Sequence, residues 1–140
     1  MTILDTNVLS EIMAVSPSES ALAWVSNRRF VDRLFTTTIS MAEILYGVEL
    51  LPSGKRRDRL ITEAHAIFAE DFGGHILGFD EAAARSFSRI AAERRRQGKP
   101  IAELDAQIAA IADTYGAALA TRNTSDFEGC GVQLINPWLD

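Results

Sequence analysis

The chain has 140 residues, 47% of them apolar, a formal net charge of −5 and a pI near 5.0. That length fits one compact domain, residues 1–140, able to bury a core of its own, and the acidic balance counts against a protein that coats duplex DNA. One cysteine, Cys130, and two histidines, His65 and His75, exclude an internal disulfide and a Cys-rich zinc site, and no run is long and apolar enough to span a membrane or serve as a signal peptide, so a cytoplasmic protein is expected.

In chain order, Thr2-Ile3-Leu4 is a short apolar strand ending at Asp5, and a helix follows from Asn7 to about Met13. Pro17 and Ser18 open a helix over 19–28, with Leu22 and Val25 on one face and Trp24 a candidate to join them. Leu34 to Thr38 is β-branched and reads as a strand. Ser40 reads as the N-cap of a helix over 41–50, stopped by Pro52 and Gly54. Residues 55–71 are helical by composition, with Leu60, Ala64 and Ile67 on one face, and Gly73-Gly74 breaks the chain before a strand at His75–Gly78. Asp80 caps a helix to about Gln97, and Gly98 and Pro100 end it. A helix from Glu103 to Tyr115 stops at Gly116, and Ala118–Thr121 and Val132–Ile135 are the last strands. Short strands alternating with helices predict an α/β fold with a mostly parallel sheet.

Parallel sheets gather function at the carboxyl ends of their strands. Asp5 follows the first strand and Asp126 lies beyond the strand at 118–121, while Glu43 and Asp105 open predicted helices. Four acids from distant parts of the chain can therefore meet. Each also has a structural reading: a turn for Asp5, a capping box with Ser40 for Glu43, a macrodipole partner for Asp105, a helix cap for Asp126. Gathered together they would repel, and a hard divalent cation, Mg²⁺ or Mn²⁺, relieves that repulsion. Such a site suits hydrolysis of a phosphodiester by an activated water. Asn7 reads as a helix cap or as a holder of that water. Arg122 reads either as a phosphate contact or as a counter-charge to the acids. Most of the basic residues fall into three groups (Arg28, Arg29 and Arg33; Lys55, Arg56, Arg57 and Arg59; Arg94, Arg95, Arg96 and Lys99), which read as solvated helix ends or phosphate contacts.

Ile3-Leu4-Asp5-Thr6-Asn7-Val8-Leu9-Ser10-Glu11 resembles the opening of PIN-domain proteins. Thr38–Gly47 around Glu43, Asp105–Ala112, and Ala120–Phe127 with Asp126 resemble their second, third and fourth motifs, and Cys130–Trp138 is similar to the end of the FitB-like branch of VapC toxins. The resemblance implies a PIN-like three-layer α/β/α sandwich and Mg²⁺-dependent endoribonuclease activity, with Mn²⁺ able to substitute. It implies an acidic site of Asp5, Glu43, Asp105 and Asp126, with Asp5 and Asp105 as direct metal contacts. Many PIN proteins carry an acid two residues after the fourth-motif threonine; here Asn123 stands in that place, a departure that the FitB-like branch tends to share. That implies that Asp126 acts through water and that Asn123 orients substrate or water. It further implies a VapB-like antitoxin, self-association as a homodimer, and DNA contact only through the antitoxin, docked on the helices at 7–13, 19–28 and 41–50 with Met13, Trp24 and Leu50 as candidates. A PIN-like module that only binds RNA or a partner is the alternative. A phosphotransferase with Asp5 as nucleophile fits poorly, since Asn7 stands where a second Asp is needed and Lys55 and Lys99 are misplaced for a receiver domain.

Overall fold

A computed structural model describes residues 1–140. The chain runs β1 (Thr2–Leu4), α1 (Thr6–Ile12), α2 (Glu19–Arg28), β2 (Leu34–Thr37), α3 (Thr38–Glu49) and α4 (Lys55–Ala66), which widens into a π-helical turn at Ile67–Asp71. It continues through β3 (Ile76–Leu77), α5 (Glu81–Arg96), α6 (Glu103–Tyr115), β4 (Ala118–Ala120), α7 (Thr124–Phe127) and β5 (Leu134–Ile135). All strand pairs are parallel, in the order β3-β2-β1-β4-β5. Parallel neighbours need crossover connections, and here helices supply them and cover both faces.

Successive side chains of a strand point to opposite faces. Ile3 and Leu119 accordingly enter a core with residues of α5 and α6, while Leu4 and Ala120 enter a second core with residues of α1, α3 and α4. The result is the α/β fold with a parallel sheet that the alternation of elements predicts, built in the three layers that the resemblance implies. Helix α6 is the most deeply set: Ala106 and Ile108–Ala112 are buried, and the small alanines let it lie close to its neighbours. Gly116 stops it in the left-handed region, at φ +61°, as expected. No helix is long and apolar enough to cross a membrane.

Three local expectations need correction. Helix α3 starts at Thr38 rather than 41, and its cap is Thr37, whose Oγ1 accepts the Ser40 N–H at 3.0 Å. Thr37 thus closes β2 with extended backbone and opens α3 with its hydroxyl. Ser40 is buried within the first turn, so Glu43 is not its capping-box partner and sits one turn further in. On α2 the buried residue is Ala21, whereas Leu22 is 41% exposed; Trp24 and Val25 pack against the core. Met13, considered as a docking residue, is buried.

Candidate active site at the carboxyl edge of the sheet

The register Leu4↔Ala120 sets the ends of β1 and β4 side by side, and Asp5 N–H donates to the Ala120 carbonyl at 2.9 Å. Asp5 therefore lies next to Thr121 across 116 positions of sequence. It is 4% exposed, and its carboxylate is held from three directions. Oδ1 accepts the Thr6 N–H at 2.8 Å, capping α1. Oδ2 accepts the Thr121 hydroxyl at 2.8 Å and the Asn7 amide at 3.2 Å. Thr121 Oγ1 in turn accepts from Asn7 Nδ2 at 3.2 Å and from Asn123 N–H at 3.1 Å, and Asn7 Oδ1 accepts the Arg122 N–H at 3.1 Å. Asn7 is thereby a bridge between the two strand ends.

Asp5, Glu43 and Asp105 line one hollow of about 390 Å³, together with Asn7 and Asn123 and with no hydrophobic residue. Glu43 arrives from the second turn of α3, where its Oε1 is 3.0 Å from the Thr6 hydroxyl; Ser40 Oγ, at 2.9 Å, shares that donor. Asp105 arrives from the first turn of α6. Asn123 precedes α7 and its side chain caps nothing, so its amide is free. Asp126, exposed on α7, does not line the hollow but is near enough for its charge to act on Asp5 and Asp105. Glu11 also lines the hollow, and its Oε1 accepts the Ser18 N–H at 2.7 Å. Sequence reasoning missed Glu11, Thr6 and Thr121 as members of the site; helical spacing from Asn7 to Glu11 and the strand-end position of Thr121 were the available signals.

The electrostatics are those of unrelieved like charge. Burial raises the Asp5 carboxyl above its usual range, with the Asp126 charge adding to it, against the hydrogen bonds from Thr121, Thr6 and Asn7. Glu43 is raised by burial and by Asp5. Asp105 is pushed up to about 6, by burial first and then by Asp5, Asp126 and Glu43. None of the protein's ion pairs includes any of these four acids. Nor does Arg122 serve as their counter-charge: its guanidinium lies over the Trp138 ring, 5.0 Å from the centroid. The acids share a mouth without closing into a ready cage, since no three His, Cys, Asp or Glu side chains are grouped tightly enough to hold a metal by themselves.

One basic group departs from its expected place at a solvated helix end. Arg94 is buried and has no carboxylate partner. Its Nη1 donates to the carbonyls of Asp126 at 2.8 Å and Glu128 at 2.9 Å and contacts Cys130 Sγ at 3.5 Å, and its Nε donates to the Lys99 carbonyl at 2.8 Å. It pins the segment that carries Asp126.

Comparison with known proteins places this arrangement. The PIN domain family matches residues 2–129. The chain is 37% identical over 138 residues to the VapC ribonuclease Y4jK of Sinorhizobium fredii, covering 99% of this chain and 98% of that one. It is 36% identical over 140 residues to the toxin FitB of Neisseria gonorrhoeae, covering all of both. A solved structure of FitAB bound to an IR36 DNA fragment superposes with a TM-score of 0.91 at 36% identity, covering 99% of this chain and 96% of that one.

Proposed function

Because the chain belongs to the PIN-domain family, we propose that it is the endoribonuclease toxin of a VapBC-type toxin–antitoxin pair, hydrolysing RNA phosphodiesters with Mg²⁺ or Mn²⁺ as cofactor. The observation that carries this reading is the set of three carboxylates, Asp5, Glu43 and Asp105, that share one hollow at the sheet edge with raised pKa values and no cationic partner in the chain, with Asp126 beside them. The donor set fits a hard divalent ion: the hollow offers oxygen donors and amides, with neither histidine nor cysteine in it. An open arrangement also fits Mg²⁺, which keeps several of its waters and takes only one or two carboxylates.

Asp5 and Asp105 would hold the ion. When bound, the ion supplies positive charge against the phosphodiester and makes a neighbouring water more acidic. The chain's own groups do the rest. Glu43, made more basic by burial and oriented by Thr6, accepts the proton of the attacking water. Asp126 steadies that water from the rim, and the Asn7 and Asn123 amides orient it and the substrate. Arg122, unpaired with any acid, contacts the flanking phosphate.

A toxin acting on cytoplasmic RNA needs an inhibitor, and a VapB-like antitoxin is the partner this reading requires. A cleft of about 620 Å³ between α1, α3 and α4 runs from Thr6 and Glu43 past Met13 and Val15 to Arg56 and Arg59. An antitoxin segment laid there reaches the acidic mouth, with Leu50, 66% exposed, beyond the cleft at the end of α3. Homodimerisation, and DNA contact through the antitoxin alone, complete the proposal. The test is cleavage of an RNA panel in Mg²⁺ and in EDTA by the wild-type, Asp5→Ala and Asp105→Ala chains. Cleavage by the wild type in Mg²⁺ alone is expected; activity that persists in EDTA, or in both variants, overturns the metal-site mechanism.

A further inference from the structure

We propose that a second hollow, lined by Trp24, Arg28 and Trp138 next to the acidic mouth, is the subsite for a nucleotide of single-stranded RNA flanking the scissile phosphate. The proposal rests on the ribonuclease reading and deepens it. The hollow measures about 510 Å³, within the range of small-molecule sites, and lies between α2 and the segment after β5. It combines the two elements that recognise an unpaired nucleotide, aromatic faces for the base and guanidinium groups for phosphate or stacking.

The two arginine–tryptophan pairs are fixed by the fold. Arg28 Cζ is 5.7 Å from the Trp24 ring centroid, and Arg122 Cζ is 5.0 Å from that of Trp138. Only Nη2 of Arg28 is engaged, by Thr2 Oγ1 at 3.2 Å and Asp32 Oδ2 at 3.3 Å, and its Nε is buried with no hydrogen-bond partner. Nε is sealed from solvent, so Nη1, which makes no hydrogen bond, is the donor left for an incoming acceptor. Asp140 lines the hollow too, and its carboxylate, bound to the Asn136 N–H at 2.7 Å, offers an acceptor to a base amino group.

The hollow is coupled to the acids by a short chain of bonds. Asn7 holds both Asp5 and the Arg122 backbone. Asn136 donates from Nδ2 to the Arg122 carbonyl at 3.4 Å and accepts the Trp138 N–H at 2.9 Å. One amide thereby sets Trp138 under Arg122 beside the mouth. In a chain of net charge −5, Arg28 lines this hollow and Arg122 stacks on its Trp138, so two cations border it.

Both tryptophans of the chain border this hollow, so their emission reports on it. The experiment titrates the full chain carrying the cleavage-disabling Asp105→Asn change with a single-stranded mixed-sequence hexaribonucleotide. Tryptophan quenching is followed with the unlabelled strand and affinity by anisotropy of the end-labelled one. Saturable quenching is expected, with affinity about tenfold weaker in Trp24→Leu and Arg28→Ala, the size of one base–aromatic stack. Arg28→Lys, which keeps the charge but not the planar fork, replaces Arg28→Ala if that variant does not fold. In the cleaving protein the same changes raise KM more than they lower kcat. Binding with unchanged emission and equal affinity in both variants overturns the subsite and leaves the ribonuclease reading standing. Quenching by a protein partner but not by the hexamer also overturns it. Failure of the wild type to bind or cleave any RNA removes the ribonuclease reading, and the subsite with it.

Discussion

Asp105 concentrates the tension of the site in one side chain. Its carboxyl is held near 6 by burial first and then by three neighbouring acids, so its ionisation at neutral pH costs folding stability. The sign follows from the direction: a carboxyl raised in the folded state binds its proton more tightly there than in the unfolded chain. The metal-free fold therefore loses stability as pH rises from the ordinary Asp range through about 6. Asp105→Asn is expected to remove that cost. Discounted for a half-exposed group to about 1 kcal/mol, the gain is roughly 2–6 °C in melting temperature, measured by calorimetry in EDTA. A melting temperature that stays equal or falls in the variant contradicts this electrostatic account. The meeting of Asp5, Asn7, Glu43 and Asp105 was legible from sequence because strand ends and the first turns of the following helices converge at one edge of a parallel sheet, whereas Asp126 stays outside the hollow. Thr121 was not, because a threonine ending a strand looks the same whether it faces solvent or a carboxylate. Only the β1–β4 register decides that.

At the level of elements, the fold positions the site through a few terminal residues. Thr37 closes β2 and caps α3, which sets the phase of that helix and hence the direction of Glu43. Thr37→Val keeps the shape and removes the accepting oxygen. It is expected to cost about 1–2 kcal/mol, read from urea unfolding as a lower midpoint with an unchanged slope. A midpoint equal to the wild type's would return the cap to another residue. Strand and helix order was readable except for the short α7, which the sequence reading leaves out, since β-branched runs, capping residues and glycine stops punctuate the chain. The α3 boundary slipped because Thr37 and Ser40 are both good caps, and local chemistry does not rank them. Arg94 was hidden by its neighbours: a run of three arginines reads as solvated, yet Arg94 continues the buried stripe of Ala83, Ser86 and Ile90 along α5. Helical phase was the signal, and composition masked it.

Across the whole molecule, the two cores hold a sheet whose carboxyl edge carries the concentrated negative charge, while the ion pairs sit elsewhere on the surface. The α/β fold with its parallel sheet was legible from alternation alone. What pairs of residues line a hollow, as Trp24 and Trp138 do from opposite ends of the chain, depends on how α2 and the segment after β5 pack, and no local pattern encodes that. The account rests on the carboxylates acting together as the seat of a divalent ion. Calorimetric titration of Mn²⁺ into the wild-type, Asp5→Asn and Asp105→Asn chains tests this most directly. The account predicts saturable binding to the wild type and a loss of about tenfold or more in affinity in each variant, since each removes one charged oxygen ligand. No binding to the wild type, or undiminished binding to both variants, would contradict it.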